Sequence, residues 1–157
     1  MARFQAIAVA LVFSLYFILP FTSARSTTVT YCDKHSDYDV KVSGVKITPN
    51  PVRGGEPATF SIAASTDKPI SGGKLVIDVY YFGVHVRSET HDICSETSCP
   101  ILSGDFVVSH SQNLPGFTPP GNYRLRMRME DVKNQELTCI SFNFRIALGE
   151  SDSVAES

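Results

Sequence analysis

Tryptophan is missing altogether from this chain of 157 residues, so any core must be built from its 10 Phe, 6 Tyr and aliphatic side chains. Cysteines two residues apart are also missing, as are paired histidines, which leaves a structural metal site without its usual frame. No glycine pattern of the nucleophile-elbow type surrounds any serine, so nothing points to an enzyme. Positive charge is not in excess: 14 Lys+Arg stand against 16 Asp+Glu, which argues against nucleic-acid binding. After the first two dozen residues no apolar run is long enough to span a membrane, and no convincing amphipathic helix occurs.

What is present begins with a leader. Arg3 precedes the apolar run Phe4 to Leu19, then Pro20 and a small-residue end at Ser23-Ala24. This pattern predicts a cleavable secretory signal over residues 1–24; a retained signal anchor is the alternative, disfavoured because the run is short of the ~20 residues that span a bilayer. Cleavage would remove one of the 14 basic residues and no acidic one, giving 13 − 16 = −3 with neutral histidines. Protonating the four histidines would reverse the sign, −3 + 4 = +1, as in an acidic lumen. No Asn-x-Ser/Thr sequon follows the leader.

Four cysteines in an exported chain predict two disulfides, with three pairings open. Spacing favours Cys94 with Cys99, closing a small loop, and Cys32 with Cys139, joining the first strand region to the last.

Seven alternating stretches, each bounded by Pro, Gly, Asn or charged residues, predict strands over 38–48, 57–65, 73–82, 84–89, 104–110, 122–131 and 137–147. This spacing implies an all-β sandwich or barrel. In the first strand the alternation changes phase between Val42 and Val45, so a β-bulge is expected at Ser43-Gly44. In the sixth, "YRLRMRMED" sets Tyr123, Leu125, Met127 and Met129 on a dry face and Arg124, Arg126 and Arg128 on a wet one. The arginines either guard a strand edge against pairing or touch anionic lipid head groups. His35, His85, His91 and His110 are read as solvated imidazoles, with His85 on the wet face between Val84 and Val86. Leu114 and Phe117, in the connector "NLPGFTPPGNY", pack inward or face a ligand or membrane. The acidic tail, 149–157, reads as a flexible end.

The order of motifs carries a resemblance: "YCD" at Tyr31-Cys32-Asp33, "VKITPNPVRGGEPATFSI", "GGKLVIDVYYFGV", "CSETSCPI", the "NLP…PPGNY" connector and "KNQELTCISFNFRI". The chain resembles the ML-domain, or lipid-recognition, family over about residues 29 to 147. The resemblance implies an immunoglobulin-like sandwich of two sheets around a hydrophobic cavity, occupying residues 25–148. It implies the pairings Cys32–Cys139 and Cys94–Cys99, and a mouth near Gly116, Phe117, Pro120, Val84 and Val86. Taken with the dry faces, the expected cavity wall is Phe60, Ile62, Leu75, Ile77, Val79, Tyr81, Val84, Val86, Phe106, Val108, Leu114, Phe117, Tyr123, Leu125, Met127, Met129, Phe142 and Phe144.

The implied activity is reversible binding and transfer of a sterol or a phospholipid of the phosphatidylglycerol/phosphatidylinositol type. The protein would act in the secretory pathway, outside the cell or in a vacuolar or lysosomal lumen. No cofactor, metal or nucleic acid is expected; a monomer that touches membranes transiently, and a membrane-protein partner, are. The competing expectation is a secreted immunoglobulin-like interaction module or co-receptor with a filled core.

Overall fold

The computed structural model describes residues 27–148. The expected signal (1–24) and the acidic tail (149–157) lie outside the described residues. The elements are β1 (Val29–Tyr31), β2 (Val40–Thr48), β3 (Val52–Arg53), β4 (Pro57–Thr66), β5 (Gly73–Tyr81), β6 (Val84–Asp92), a helical turn at Ile93–Glu96, β7 (Gly104–Asn113), β8 (Gly121–Asp131) and β9 (Glu136–Ala147). Seven of the nine strands are those the alternation predicts. The two others, β1 and β3, are three and two residues long, too short to leave a periodic signal.

Two sheets face one another. One runs β1-β9-β8-β5-β6, with β3 beside β9; the other runs β2-β4-β7. Pairing is antiparallel except for the short β3–β9 contact. β6 and β7 are end strands of their sheets.

The bulge expected in the first long strand is present: Val42 opposes Ala64 and Gly44 opposes Ala63, so Ser43 is the extra residue. It lets Val40 and Val45 both turn inward, at 0% and 1% exposure, although they are an odd number of residues apart.

A second bulge, in β6, is not visible in the sequence pattern. Tyr80 opposes His85, but Val79 opposes Arg87, leaving Val86 over. From there the inward phase belongs to Arg87, Glu89 and His91, which oppose Val79, Ile77 and Leu75. β5 and β6 are joined by a two-residue hairpin whose residues, Phe82 and Gly83, both have positive φ (48° and 80°). That is the twist a tight antiparallel hairpin requires.

One half of the sandwich is filled. Leu75, Met127, Met129, Ile62, Val108, Ile93, Ile101, Leu137 and Ile140 are all buried there. Both disulfides are formed as spacing favoured, Cys32–Cys139 and Cys94–Cys99. The first ties the segment after β1 to β9, and the second closes the turn that links β6 to β7.

The arginine face of β8 needs a correction. β8 lies between β9 and β5, so Arg124, Arg126 and Arg128 guard no edge. They occupy the outer face of the larger sheet, where Arg128 lies 3.8 Å from Glu130.

Candidate functional site

The other half of the sandwich is hollow. An apolar cavity of about 450 Å³ lies between the sheets. Its floor is the packed half. Its walls are Ile77, Val79 and Tyr81 from β5, Tyr123 and Leu125 from β8, Phe144 and Ile146 from β9, and Phe60 from β4. Leu114, Pro115, Phe117, Thr118 and Pro119 close it from the β7–β8 connector.

The local sequence accounts for this shape. Alternation puts Phe60, Tyr81, Tyr123 and Phe144 inward near the same end of their strands, and their rings form a connected row. Phe60 meets Phe144 edge-on at 5.3 Å, Phe144 stacks on Tyr123 at 5.4 Å, and Tyr123 lies 4.7 Å from Tyr81. Rigid rings that lean on one another resist collapse better than flexible aliphatic chains would. The two phenols also hold the connector: Tyr81 donates to the Pro120 carbonyl at 3.0 Å and Tyr123 to the Pro119 carbonyl at 2.7 Å. Gly121 suits the close approach there: its φ of 140° is a backbone conformation that other residues rarely adopt, and a Cβ would lie a tight 3.2 Å from the Tyr81 ring. Burial pushes the Tyr123 phenol above its ordinary pKa, with a smaller contribution from Tyr81.

Of the expected wall residues, Phe60, Ile77, Val79, Tyr81, Val86, Leu114, Phe117, Tyr123, Leu125 and Phe144 line the cavity. Ile62, Leu75, Val108, Met127, Met129 and Phe142 are buried outside its lining, and Phe106 is half-buried. Val84 is 65% exposed, placed by the hairpin at the sheet end, and is not part of the wall. Val86 is exposed yet touches the opening, as does Phe117 at 87% exposure. With Phe82, 4.5 Å from Tyr81, these make an apolar rim.

The polar part of the wall is Arg87, Glu89, His110 and Gln112; the alternation concealed the two that come from β6. His110 is 3% exposed, opposite Phe60, and His91 packs against it with ring centres 4.5 Å apart. Both therefore depart from the expected solvated imidazole, while His35 and His85 are exposed as expected. The β6 bulge explains His91; His110 sat in plain phase with Val108 and was legible as inward. Glu89 carries opposing influences: burial pushes its carboxyl up, but the His91 hydrogen bond and the Arg87 guanidinium override it and hold the pKa below the usual glutamate value.

Chemically, this is a container. Its apolar wall can hold a hydrocarbon body, and its polar groups lie on the β6 and β7 side, where a head group would meet them. Among the described residues no helix is long and apolar enough to cross a membrane.

Residues 26–146 match the sequence model of the ML domain. A Dictyostelium discoideum protein named for phosphatidylglycerol/phosphatidylinositol transfer is 32% identical over 116 residues, covering 71% of this chain and 80% of that protein. A phosphatidylglycerol/phosphatidylinositol transfer protein of Candida albicans is 29% identical over 119 residues, 72% of this chain and 62% of its own length. Among solved structures, a Niemann-Pick type C2 protein from the Japanese carpenter ant superposes with a TM-score of 0.59 at 16% identity, covering 75% of this chain and 99% of that one. That likeness carries the fold.

Proposed function

The chain belongs to the ML-domain family, and on that premise we propose that it reversibly binds and transfers a lipid, with a phosphatidylglycerol- or phosphatidylinositol-type phospholipid as the first candidate and a sterol as the second. The observation that carries this reading is the apolar cavity of about 450 Å³ held open between the sheets. Its volume falls within the ~300–1,000 Å³ of small-molecule sites. The relatives named for phospholipid transfer support the choice of ligand class.

The mechanism is capture with no bond made or broken. An acyl tail leaves the bilayer across the exposed rim of Phe82, Val86 and Phe117 and enters between the sheets. Burying about ten methylenes at ~0.8 kcal/mol each contributes roughly 8 kcal/mol, which opposes an association cost of about 4–15 kcal/mol. The head group stays at the β6 and β7 side, beside Arg87 and Gln112. Phe82 supports the rim role: a bulky residue at φ 48° costs about 1–3 kcal/mol, and it holds an aromatic ring at a hairpin tip. The two disulfides support folding in an oxidising compartment, hence a secreted or lumenal protein. A filled-core interaction module does not suit a sandwich that is hollow at one end.

The test is mass spectrometry of the protein purified without denaturation, paired with uptake of labelled phosphatidylglycerol, phosphatidylinositol and sterol from liposomes. Co-purified lipid with uptake of one class supports the reading and names the ligand. A lipid-free protein that takes up none of them overturns it.

A further inference from the structure

Four side chains from three elements meet where the open edges of the two sheets come together. Glu89 and His91 come from β6, Glu96 from the helical turn, and His110 from β7. Each of Glu89, His91 and His110 offers a ligand atom, and the three atoms lie within 4.8 Å of one another. His91 Nε2 is 3.1 Å from Glu89 Oε2. Glu96 Oε1 is 3.3 Å from His110 Nδ1 and 3.7 Å from His91 Nδ1. The other oxygen of Glu89, Oε1, is taken by the Arg87 guanidinium. The side chains of His110, Glu96 and Glu89 are 4%, 12% and 15% exposed, and that of His91 30%.

We propose that Glu89, His91 and His110 form a binding site for a first-row divalent cation, Zn²⁺ above all, with Glu96 as the outer carboxylate that orients both imidazoles. Zn²⁺ bound at about 2.0–2.1 Å in a tetrahedron sets its ligand atoms about 3.3 Å apart; His91 Nε2 and Glu89 Oε2 stand 3.1 Å apart, and the ligand atom of His110 lies within 4.8 Å of both. Two imidazoles with a carboxylate suit zinc, copper or nickel and do not suit magnesium or calcium. A carboxylate against the far nitrogen of a ligating imidazole is the usual outer partner, and Glu96 accepts a hydrogen bond from Nδ1 of His110 at 3.3 Å and stands 3.7 Å from Nδ1 of His91. Charge points the same way. With neutral imidazoles, two carboxylates face one guanidinium in a half-buried cluster, and a dication reverses that deficit.

The ion would join β6 to β7, which share no ladder. It would staple the side of the sandwich that the Cys94–Cys99 turn closes. The proposal does not depend on the lipid reading, because its test contains no lipid.

The test is titration of the untagged, lipid-free full chain with Zn²⁺ against a chromophoric chelator at pH 7.5, with thermal unfolding recorded with and without the ion. Expected are one Zn²⁺ per chain, a rise in unfolding temperature, and affinity at least 10-fold lower in both His91→Ala and His110→Gln. His85→Ala, which alters an exposed imidazole away from the cluster, is expected to leave binding unchanged. Because His110 is buried and its variant could fail to fold, the partly exposed His91 decides in that event. No stoichiometric binding, or equal affinity in wild type and His91→Ala, overturns the proposal.

Discussion

Arg87 stands opposite Val79 in the β5–β6 ladder, the place that unbroken counting from the hairpin would give to Val86. One extra residue thereby turns the inner face of β6 from aliphatic to charged. Across the sheet, Val79 is also opposite Leu125, so it sits mid-wall in the cavity.

That position makes Val79 a place to block the container from the middle of its wall. Val79→Trp would fill part of the void while leaving the packed half intact. Phospholipid uptake from liposomes is expected to fall at least 10-fold, with the unfolding temperature lowered by no more than a few degrees. Uptake at the wild-type rate in a folded variant would show that lipid sits elsewhere.

The same ladder marks what was legible in the sequence. Period-two alternation placed seven strands, and the phase slip beside Gly44 gave the β2 bulge because both flanking runs are aliphatic. The β6 bulge left no such trace: after Val86 the strand continues as "RSETHD", in which no apolar residue reports the change of phase. His91 was misplaced for that reason, whereas Val84 precedes the bulge and is exposed because the hairpin carries it past the sheet end. Filled and hollow halves were not separable either. Met127 and Leu125 are neighbours on one dry face, yet only Leu125 reaches the cavity, since the difference depends on what the opposite sheet supplies. The polar wall at Glu89 and His110 arises from two strands that are distant in sequence and share no ladder.

The division between halves should be measurable as a difference between two like substitutions. Leu75 is 0% exposed in the filled half, and Leu125 is 3% exposed beside the void. Leu75→Ala is expected to cost about 3–5 kcal/mol, the loss of transfer energy plus a new cavity. Leu125→Ala enlarges a void already present, so its cost should lie nearer about 2 kcal/mol. Denaturant unfolding of both variants without lipid gives the comparison. Equal costs would mean that the wall at Leu125 is packed as tightly as the floor.

Tyr123 offers an optical reading of the cavity. Burial raises its phenol pKa, so the neutral form is the one the fold favours. For a group whose folded pKa is raised, the stabilisation is fully present below the unfolded value, near pH 10, and is lost as pH rises through the folded value. An ultraviolet titration of tyrosinate should therefore show a late phase that is lost in Tyr123→Phe. Bound lipid, by drying the wall further, should move that phase later still. A Tyr123→Phe curve identical to wild type would show that the phenol is not in a dry site.

Tail length is the last discriminator, because the affinity of a container depends on it and that of a head-group receptor does not. In the cavity, each methylene removed from a single-tailed phospholipid costs ~0.8 kcal/mol of burial. Shortening the tail by two carbons should then weaken binding about 15-fold, since 1.4 kcal/mol corresponds to a factor of ten. The slope should flatten once the tail is longer than the hollow half of the sandwich, as extra carbons meet solvent at the rim of Val86 and Phe117. Competition with a fluorescent fatty-acid probe, run over a series of lysophosphatidylglycerols at concentrations below micelle formation, measures this directly. An affinity independent of tail length would place the binding energy in the head group at Arg87 and Gln112 and remove the cavity from the mechanism.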